Sequence, residues 1–354
     1  MTTTIASDRA RRLLRMSAPK VYDFQASDGV GLRLTRYQGG RKGPVILSPG
    51  FGTSGQAYCL DTVDTNLPEY LFAKNYDVWI FDYRASPALP SAATQFTLDD
   101  IAARDYPAAV KLVREVSRAE SVQFMAHCVG SLTFLLAMTQ GLEGVRSAVS
   151  SALTLHPVAP LINRVKARFR LATALAAVGM GTLTTDVHAN AHFGERAFDR
   201  LLRFYPSHDG CSSPFCRRVL FLYGEVYDHS KLNPSTHQAL PEVFGVANLT
   251  TFKQISRMLN KGHAVSSDGR EIYLPEAARL RVPIAFIHGE NNRLFLPRGS
   301  QQTFDYLCKI NGPEYYVRHV IPDYAHMDCF VGKDADRDVF PIVLAELDKH
   351  NPVG

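Results

Sequence analysis

Apolar and polar positions follow two alternating patterns along the first 158 residues. Val21 to Gln25 and Leu32 to Tyr37 are short alternating segments joined through Asp28-Gly29, which predicts an antiparallel hairpin at the start of a sheet. Pro44 to Ser48, Asp77 to Phe81 and Val122 to Ala126 are instead continuous apolar runs, the kind that a parallel sheet buries on both faces. Between them, residues near Glu69 to Asn75 and from Leu98 to Ser117 carry apolar side chains at helical spacing. Ser147 to Leu155, closed by His156-Pro157, is one more strand candidate. This alternation predicts a mostly parallel, doubly wound α/β sheet.

From about Ala159 to Leu280 the alternation stops, and helical patterns with loops such as Ser207 to Pro214 take over. The strand pattern returns at Pro283 to Ile287, followed by a helix over Gly299 to Ile310, a strand over Tyr315 to Ile321 and a closing helix over Asp338 to His350. The expected organisation is therefore a core of residues 20–158 and 281–354, with residues 159–280 as a mainly helical insertion.

Composition narrows the class. The chain has 354 residues, 46% hydrophobic and 21% charged, so it can bury a full core. It has no apolar run of about 18 residues, and a membrane span is not expected. Arg9, Arg11, Arg12 and Arg15 are followed by no apolar stretch, so the N-terminus lacks the core of a signal peptide. The net charge of +5 is mild and its basic residues are scattered, which gives no support to nucleic-acid binding. Six cysteines without an export signal point to reduced thiols in the cytoplasm. His208, Cys211 and Cys216 lie close together but lack a second ligand pair at a recognised spacing, so they read as ordinary loop residues, not metal ligands. No glycine fingerprint follows the first strands, and no cofactor is expected.

The chemistry centres on Val122-Gln123-Phe124-Met125-Ala126-His127-Cys128-Val129-Gly130-Ser131-Leu132, an apolar strand that turns sharply into an apolar helix. Ala126 and Gly130, two residues either side of Cys128, are small, as a nucleophile elbow requires. An acyl-transfer site on such a scaffold also needs an oxyanion hole, a histidine and a group that orients it. The backbone N–H groups of Val129 and of Phe51, in Pro49-Gly50-Phe51-Gly52, are the expected oxyanion donors. His326 follows the last strand, where a loop can hang a base over the sheet. In His288-Gly289-Glu290-Asn291-Asn292-Arg293-Leu294 the acid position three after the glycine is Asn292; Glu290, Asp228 and Asp323 are the alternatives, in that order.

Cysteine and asparagine make chemical sense together. A serine must give up its proton as it attacks, so a carboxylate behind the histidine matters; losing it costs about ten-thousand-fold in serine proteases. A cysteine can already be a thiolate beside an imidazolium, and an asparagine that only fixes the ring then suffices.

With these residues in place the chain resembles the α/β-hydrolase superfamily, and within it the acid-lipase and cholesteryl-ester-lipase branch, over roughly residues 20 to 350. The resemblance rests on Asp77-Val78-Trp79 followed by Tyr83-Arg84, on Leu98 through Ala109, and on His326 through Ala335. Those lipases carry serine where Cys128 stands and aspartate where Asn292 stands. The chain is more similar still to hydrolase-like proteins found near or fused to cholesterol-oxidase-type flavoenzymes, which share the cysteine elbow and an asparagine-containing loop. Polyhydroxyalkanoate synthases and dienelactone hydrolases also use an elbow cysteine. The resemblance implies an α/β-hydrolase fold in which residues 159–280 form a lid over an apolar acyl pocket. It further implies a hydrophobic ester or thioester substrate, and the protein partners it suggests are an acyl carrier or a flavoenzyme. An esterase or thioesterase, an acyltransferase and a non-catalytic binding protein are the three functions open at this point.

Overall fold

The continuous apolar runs become the interior of one eight-stranded sheet. In the computed structural model, which describes residues 11–168, 181–185, 200, 202, 205 and 210–351, ten strands are defined. They are β1 (Lys20–Gln25), β2 (Gly31–Tyr37), β3 (Pro44–Ser48), β4 (Asp77–Asp82), β5 (Val122–His127), β6 (Val145–Ser151), β7 (Thr182–Thr184), β8 (Val246–Asn248), β9 (Ile284–Gly289) and β10 (Tyr316–Ile321). The sheet order is β1-β2-β4-β3-β5-β6-β9-β10. The β1–β2 hairpin and the β2–β4 pair are antiparallel, whereas every pair from β4 to β10 is parallel. Every residue of β3, β4, β5 and β9 is buried, as expected for strands covered on both faces.

Helices α1 (Leu67–Ala73), α2 (Tyr106–Ser117), α3 (Val129–Thr139), α4 (Leu161–Arg168), α5 (Pro214–Leu222), α6 (Leu249–Lys261), α7 (Pro297–Asn311) and α8 (Phe340–Asp348) flank the sheet or belong to the segment between β6 and β9. Local sequence sets their ends. Asn66 and Glu69 close a capping box on α1, so this helix starts two residues before the expected one. Helix α3 is apolar all round, and every one of its residues is buried.

Three expectations change. The helix expected over Leu98–Ser117 is broken: a capped turn at Leu98–Asp100 runs into a wide turn at Ile101–Asp105 before α2. Pro107 has no N–H for a regular ladder, which accounts for the break. The strand expected over Ser147–Leu155 stops at Ser151, because Ala152 takes a left-handed φ of 70° and turns the chain. The inserted segment also holds the antiparallel pair β7–β8 besides its helices.

Conserving the fold's geometry near the site are several cross-links from the inserted segment. Val243 O accepts from Ser54 N–H (2.9 Å), Gly52 O from Gly245 N–H (3.0 Å) and Val226 O from Met327 N–H (2.8 Å). The segment is thereby hydrogen-bonded to the Phe51 loop and to the chain beside His326.

Candidate active site

Cys128 sits between the end of β5 and the start of α3, with φ 55° and ψ −127°. That conformation costs about 1–3 kcal/mol for a residue with a Cβ and survives only where its surroundings enforce it. Here they do. A side chain at Gly130 would place its Cβ 2.3 Å from Pro49 O and 2.8 Å from Ser48 O, so only glycine fits. Tyr106 Oη donates to Gly130 O (2.6 Å), and Cys128 N–H donates to Ser151 O (2.9 Å). Tyr106 belongs to the stretch that carries the lipase resemblance, and its role is to hold the elbow.

The loop after β3 is held from behind. Tyr58 Oη donates to Ser48 O and Tyr83 Oη to Pro49 O, both at 3.0 Å. With those carbonyls tied back, Gly50 lies against the elbow, and a Cβ there would stand 3.1 Å from Cys128 Cβ. The N–H groups of Val129 and Phe51 both reach the Cys128 thiol. Burial pushes that thiol up to about 12, and the two N–H groups only partly oppose it. That direction favours the protonated thiol over the thiolate.

His326 follows β10, on a loop pinned by Asp328 Oδ2 accepting from Ala325 N–H (2.9 Å). Asn292 Nδ2 lies 3.0 Å from His326 Nδ1. Asn292 Oδ1 accepts from two backbone N–H groups, those of Leu294 (3.0 Å) and Phe295 (3.1 Å). The orientation of the amide follows: reversing it would set an NH2 against two N–H donors. Asn292 therefore donates to the ring, His326 Nδ1 accepts, and the ring proton sits on Nε2. An imidazolium would turn a second N–H toward the amide NH2. Burial, then the neighbouring His127 and His288 rings, drives His326 well below the usual histidine range. Both shifts run against the expected thiolate–imidazolium pair: burial raises the thiol and lowers the imidazolium, and the amide presents its donor side to the ring.

Of the alternatives to Asn292, Glu290 is exposed, Asp323 is exposed, and Asp228 accepts from Ser230 N–H in its own turn (2.8 Å). Asn292, 1% exposed, is the side chain that meets His326. Two site residues escaped the sequence reading. The His127 ring packs 4.5 Å from that of His326, and burial lowers its pKa to about 3. Its adjacency to Cys128 was a usable signal. Tyr223, from the end of α5, reaches over the Phe51 loop: a Cβ on Gly52 would lie 1.9 Å from Tyr223 Oη. That hydroxyl is buried with no hydrogen-bond partner among the described residues. Nothing in the sequence near Tyr223 marks it.

Cys128, Val129, Phe51, His326 and Tyr223 line one cavity of about 140 Å3. Its other walls are chiefly apolar, with Phe244, Phe252 and Ile255 from the inserted segment facing Leu294, Phe295 and Phe330 from the core. Among the described residues, Lys166 is its one charged lining group; burial lowers the ammonium to about 8, and it donates to Phe221 O (2.8 Å).

The strand order, the strained residue on the β5–α3 turn and the histidine after β10 together define the class: the chain has the α/β-hydrolase fold. Comparison with known proteins agrees. No protein-family model matches the chain. Mouse lipase member K is 22% identical over 336 residues, spanning 87% of this chain and 80% of that protein. Triacylglycerol lipase 2 of Arabidopsis thaliana is 28% identical over 183 residues, and the match covers 45% of this chain but only 43% of that lipase. Among solved structures, a soluble variant of monoglyceride lipase from Saccharomyces cerevisiae superposes with a TM-score of 0.63 at 15% identity, covering 97% of this chain and 99% of that one. No helix among the described residues is long and apolar enough to cross a membrane.

Proposed function

We propose that the protein is a cysteine-dependent acyl-transfer enzyme that cleaves an ester or thioester of a hydrophobic substrate through an acyl-Cys128 intermediate. The observation that carries this reading is the convergence of the Val129 and Phe51 N–H groups on the Cys128 thiol at the floor of an apolar cavity, beside His326. Those donors are fixed before substrate arrives and face the atom beside which an oxyanion develops. The likeness to lipases supports a lipid-like ester, and the described part of the inserted segment, with Tyr223, Phe244, Phe252 and Ile255 on the cavity, would act as a lid over the acyl chain.

In the first step a bond forms between Cys128 Sγ and the substrate carbonyl carbon, and the donor's C–O or C–S bond breaks. The thiol proton passes to His326 Nε2 and then to the departing alcohol or thiol. In the second step water, or another acceptor, attacks the acyl-cysteine, and its proton returns to Cys128 by the same ring. His326 can accept at Nε2 only if its resting proton moves to Nδ1, so Asn292 must turn its oxygen to the ring. That turn leaves two backbone donors unpaired, at roughly 1–3 kcal/mol each. Hydrolysis is the simpler outcome; transfer of the acyl group to an alcohol or amine uses the same intermediate.

Intact-mass measurement after exposure to short and long acyl thioesters and p-nitrophenyl esters tests the reading. Wild type should gain one acyl group, and Cys128→Ala none. Turnover or acylation that persists in Cys128→Ala would overturn it.

The orientation of the Asn292 amide favours a second reading, a site that binds hydrophobic ligands without turning them over. Asn292→Asp separates the two. A carboxylate would accept both from the backbone and from His326 Nδ1, so a catalytic site should speed up. A pure binding site should remain silent in either form.

A further inference from the structure

We infer that the inserted segment carries a structural zinc site formed by Cys211, Cys216, His229 and His237. This is independent of the acyl chemistry. The four ligand atoms, two thiol sulfurs and one nitrogen from each imidazole, all lie within 4.8 Å of one another. In a tetrahedral zinc site, Zn–S bonds of about 2.3 Å and Zn–N bonds of about 2.0–2.1 Å set the ligand atoms roughly 3.3–3.8 Å apart. His237 Nε2 is 3.1 Å from Cys216 Sγ and 3.6 Å from Cys211 Sγ. The side chains therefore need to move by an ångström or less to close on an ion.

The donor set selects the metal. Two thiolates and two neutral imidazoles suit zinc, and binding Zn2+ releases both thiol protons to solvent, leaving a complex with no net charge. An uncharged complex suits a half-buried position, where Cys216 is buried and the other three residues are partly so. A small cavity of about 30 Å3 is lined by Cys211, Cys216 and His229, with Tyr227 beside them. Tyr227 Oη donates to Cys216 Sγ (3.3 Å), and its ring meets His229 edge-on, with centroids 5.1 Å apart. A hydrogen bond to the sulfur and a wall behind a ligand ring are what outer partners supply in a metal site.

Spacing hid the site from the sequence. His208, the apparent third ligand beside Cys211 and Cys216, lies outside the described residues. The second pair comes instead from His229 and His237, eight residues apart on a short turn (His229–Lys231) and a short helix (Pro234–Ala239). Folding, not a sequence repeat, brings the pairs together.

The position of the site gives it a purpose. The chain between the two ligand pairs runs through Phe221 to Asp228, which supplies one wall of the catalytic cavity. Tyr223 stands over Gly52, Glu225 forms a β-bridge with Arg293 beside Asn292, and Val226 O holds Met327 N–H beside His326. Zinc would staple the two ends of this wall together at its base.

The test is the metal content of the full-length protein purified under reducing conditions, followed by exchange of the metal for Co2+. We expect one zinc per chain, and tetrahedral thiolate–cobalt absorption bands after exchange. Chelation should lower the thermal midpoint by several degrees, and zinc alone should restore it. Cys216→Ser and His237→Ala should each lose the metal, and His229→Gln serves as a milder change if those variants fold poorly. Failure of the reduced wild-type protein to retain zinc, or a Cys211–Cys216 disulfide in place of metal, would overturn the inference.

Discussion

The described residues hold two clusters of cysteine and histidine, built in opposite ways. Around Cys128 the sheet does the building: the sulfur sits on a strained turn, and backbone N–H groups from Val129 and Phe51 are aimed at it. Around Cys216 the work is done by side chains alone, two thiols and two imidazoles that converge from a loop and three short elements. The first cluster keeps one cysteine among backbone donors, which in the proposed acyl transfer would meet an anion that comes and goes. The second gathers four ligand atoms, an environment for a cation that stays. The difference teaches that residue type does not assign chemistry to a cysteine–histidine pair; what faces the sulfur does.

The sharpest way to break the comparison is to reverse the polarity at Asn292. If the amide holds His326 in the unproductive tautomer, Asn292→Asp should raise the acylation rate by about 10^2 to 10^4, the inverse of the loss when a triad aspartate becomes asparagine. Cys128→Ser alone should be inert, whereas Cys128→Ser combined with Asn292→Asp should turn over p-nitrophenyl esters. Rates of p-nitrophenol release check both.

A smaller effect tests whether the backbone enforces the elbow. Gly130→Ala puts a Cβ 2.3 Å from Pro49 O, and should destabilise the fold by about 3 kcal/mol in urea unfolding while displacing the Val129 N–H. A stable, fully active Gly130→Ala protein would mean that the turn is not under the constraint described.

The buried histidines sharpen the picture through pH. Burial lowers His127 to about 3 and His288 to about 4, and drives His326 well down. Their unfolded counterparts bind protons near 6.5, so the unfolded state holds more protons than the folded state below that pH. Stability contributed by keeping them neutral is complete above about pH 6.5 and is lost as pH falls toward 4. Each histidine steepens the loss by up to about 1.4 kcal/mol per pH unit. Thermal midpoints between pH 7 and pH 4 read this directly, and His127→Phe should flatten the curve.

The smallest expected change is at Tyr223. Its unpaired hydroxyl faces the cavity over the Phe51 loop, so Tyr223→Phe should slow acylation by about tenfold if the hydroxyl donates to the developing oxyanion. No change in rate would reduce Tyr223 to a wall of the cavity.

Most of the core was legible in the chain itself. The buried parallel strands read as continuous apolar runs, and the hairpin read as alternation through Asp28-Gly29. Cys128, Phe51, Val129, Asn292 and His326 were legible because each belongs to a turn at a fixed place relative to a strand. What was not legible depends on how distant segments meet. Tyr223 comes from the inserted segment, whose position over Gly52 no local pattern encodes. The orientation of Asn292 depends on which backbone donors its oxygen finds, those of Leu294 and Phe295. The Cys211, Cys216, His229 and His237 cluster has no repeat in spacing and exists only once the chain has folded back on itself.

The most direct test of the account is a time course of acyl-adduct formation by intact mass, run side by side on wild type, Asn292→Asp and Cys128→Ala with the same long-chain acyl thioester. A single adduct mapped to Cys128 is expected, formed faster in Asn292→Asp than in wild type and absent from Cys128→Ala. No adduct and no turnover in either Cys128-containing protein, or an adduct that survives Cys128→Ala, would contradict it.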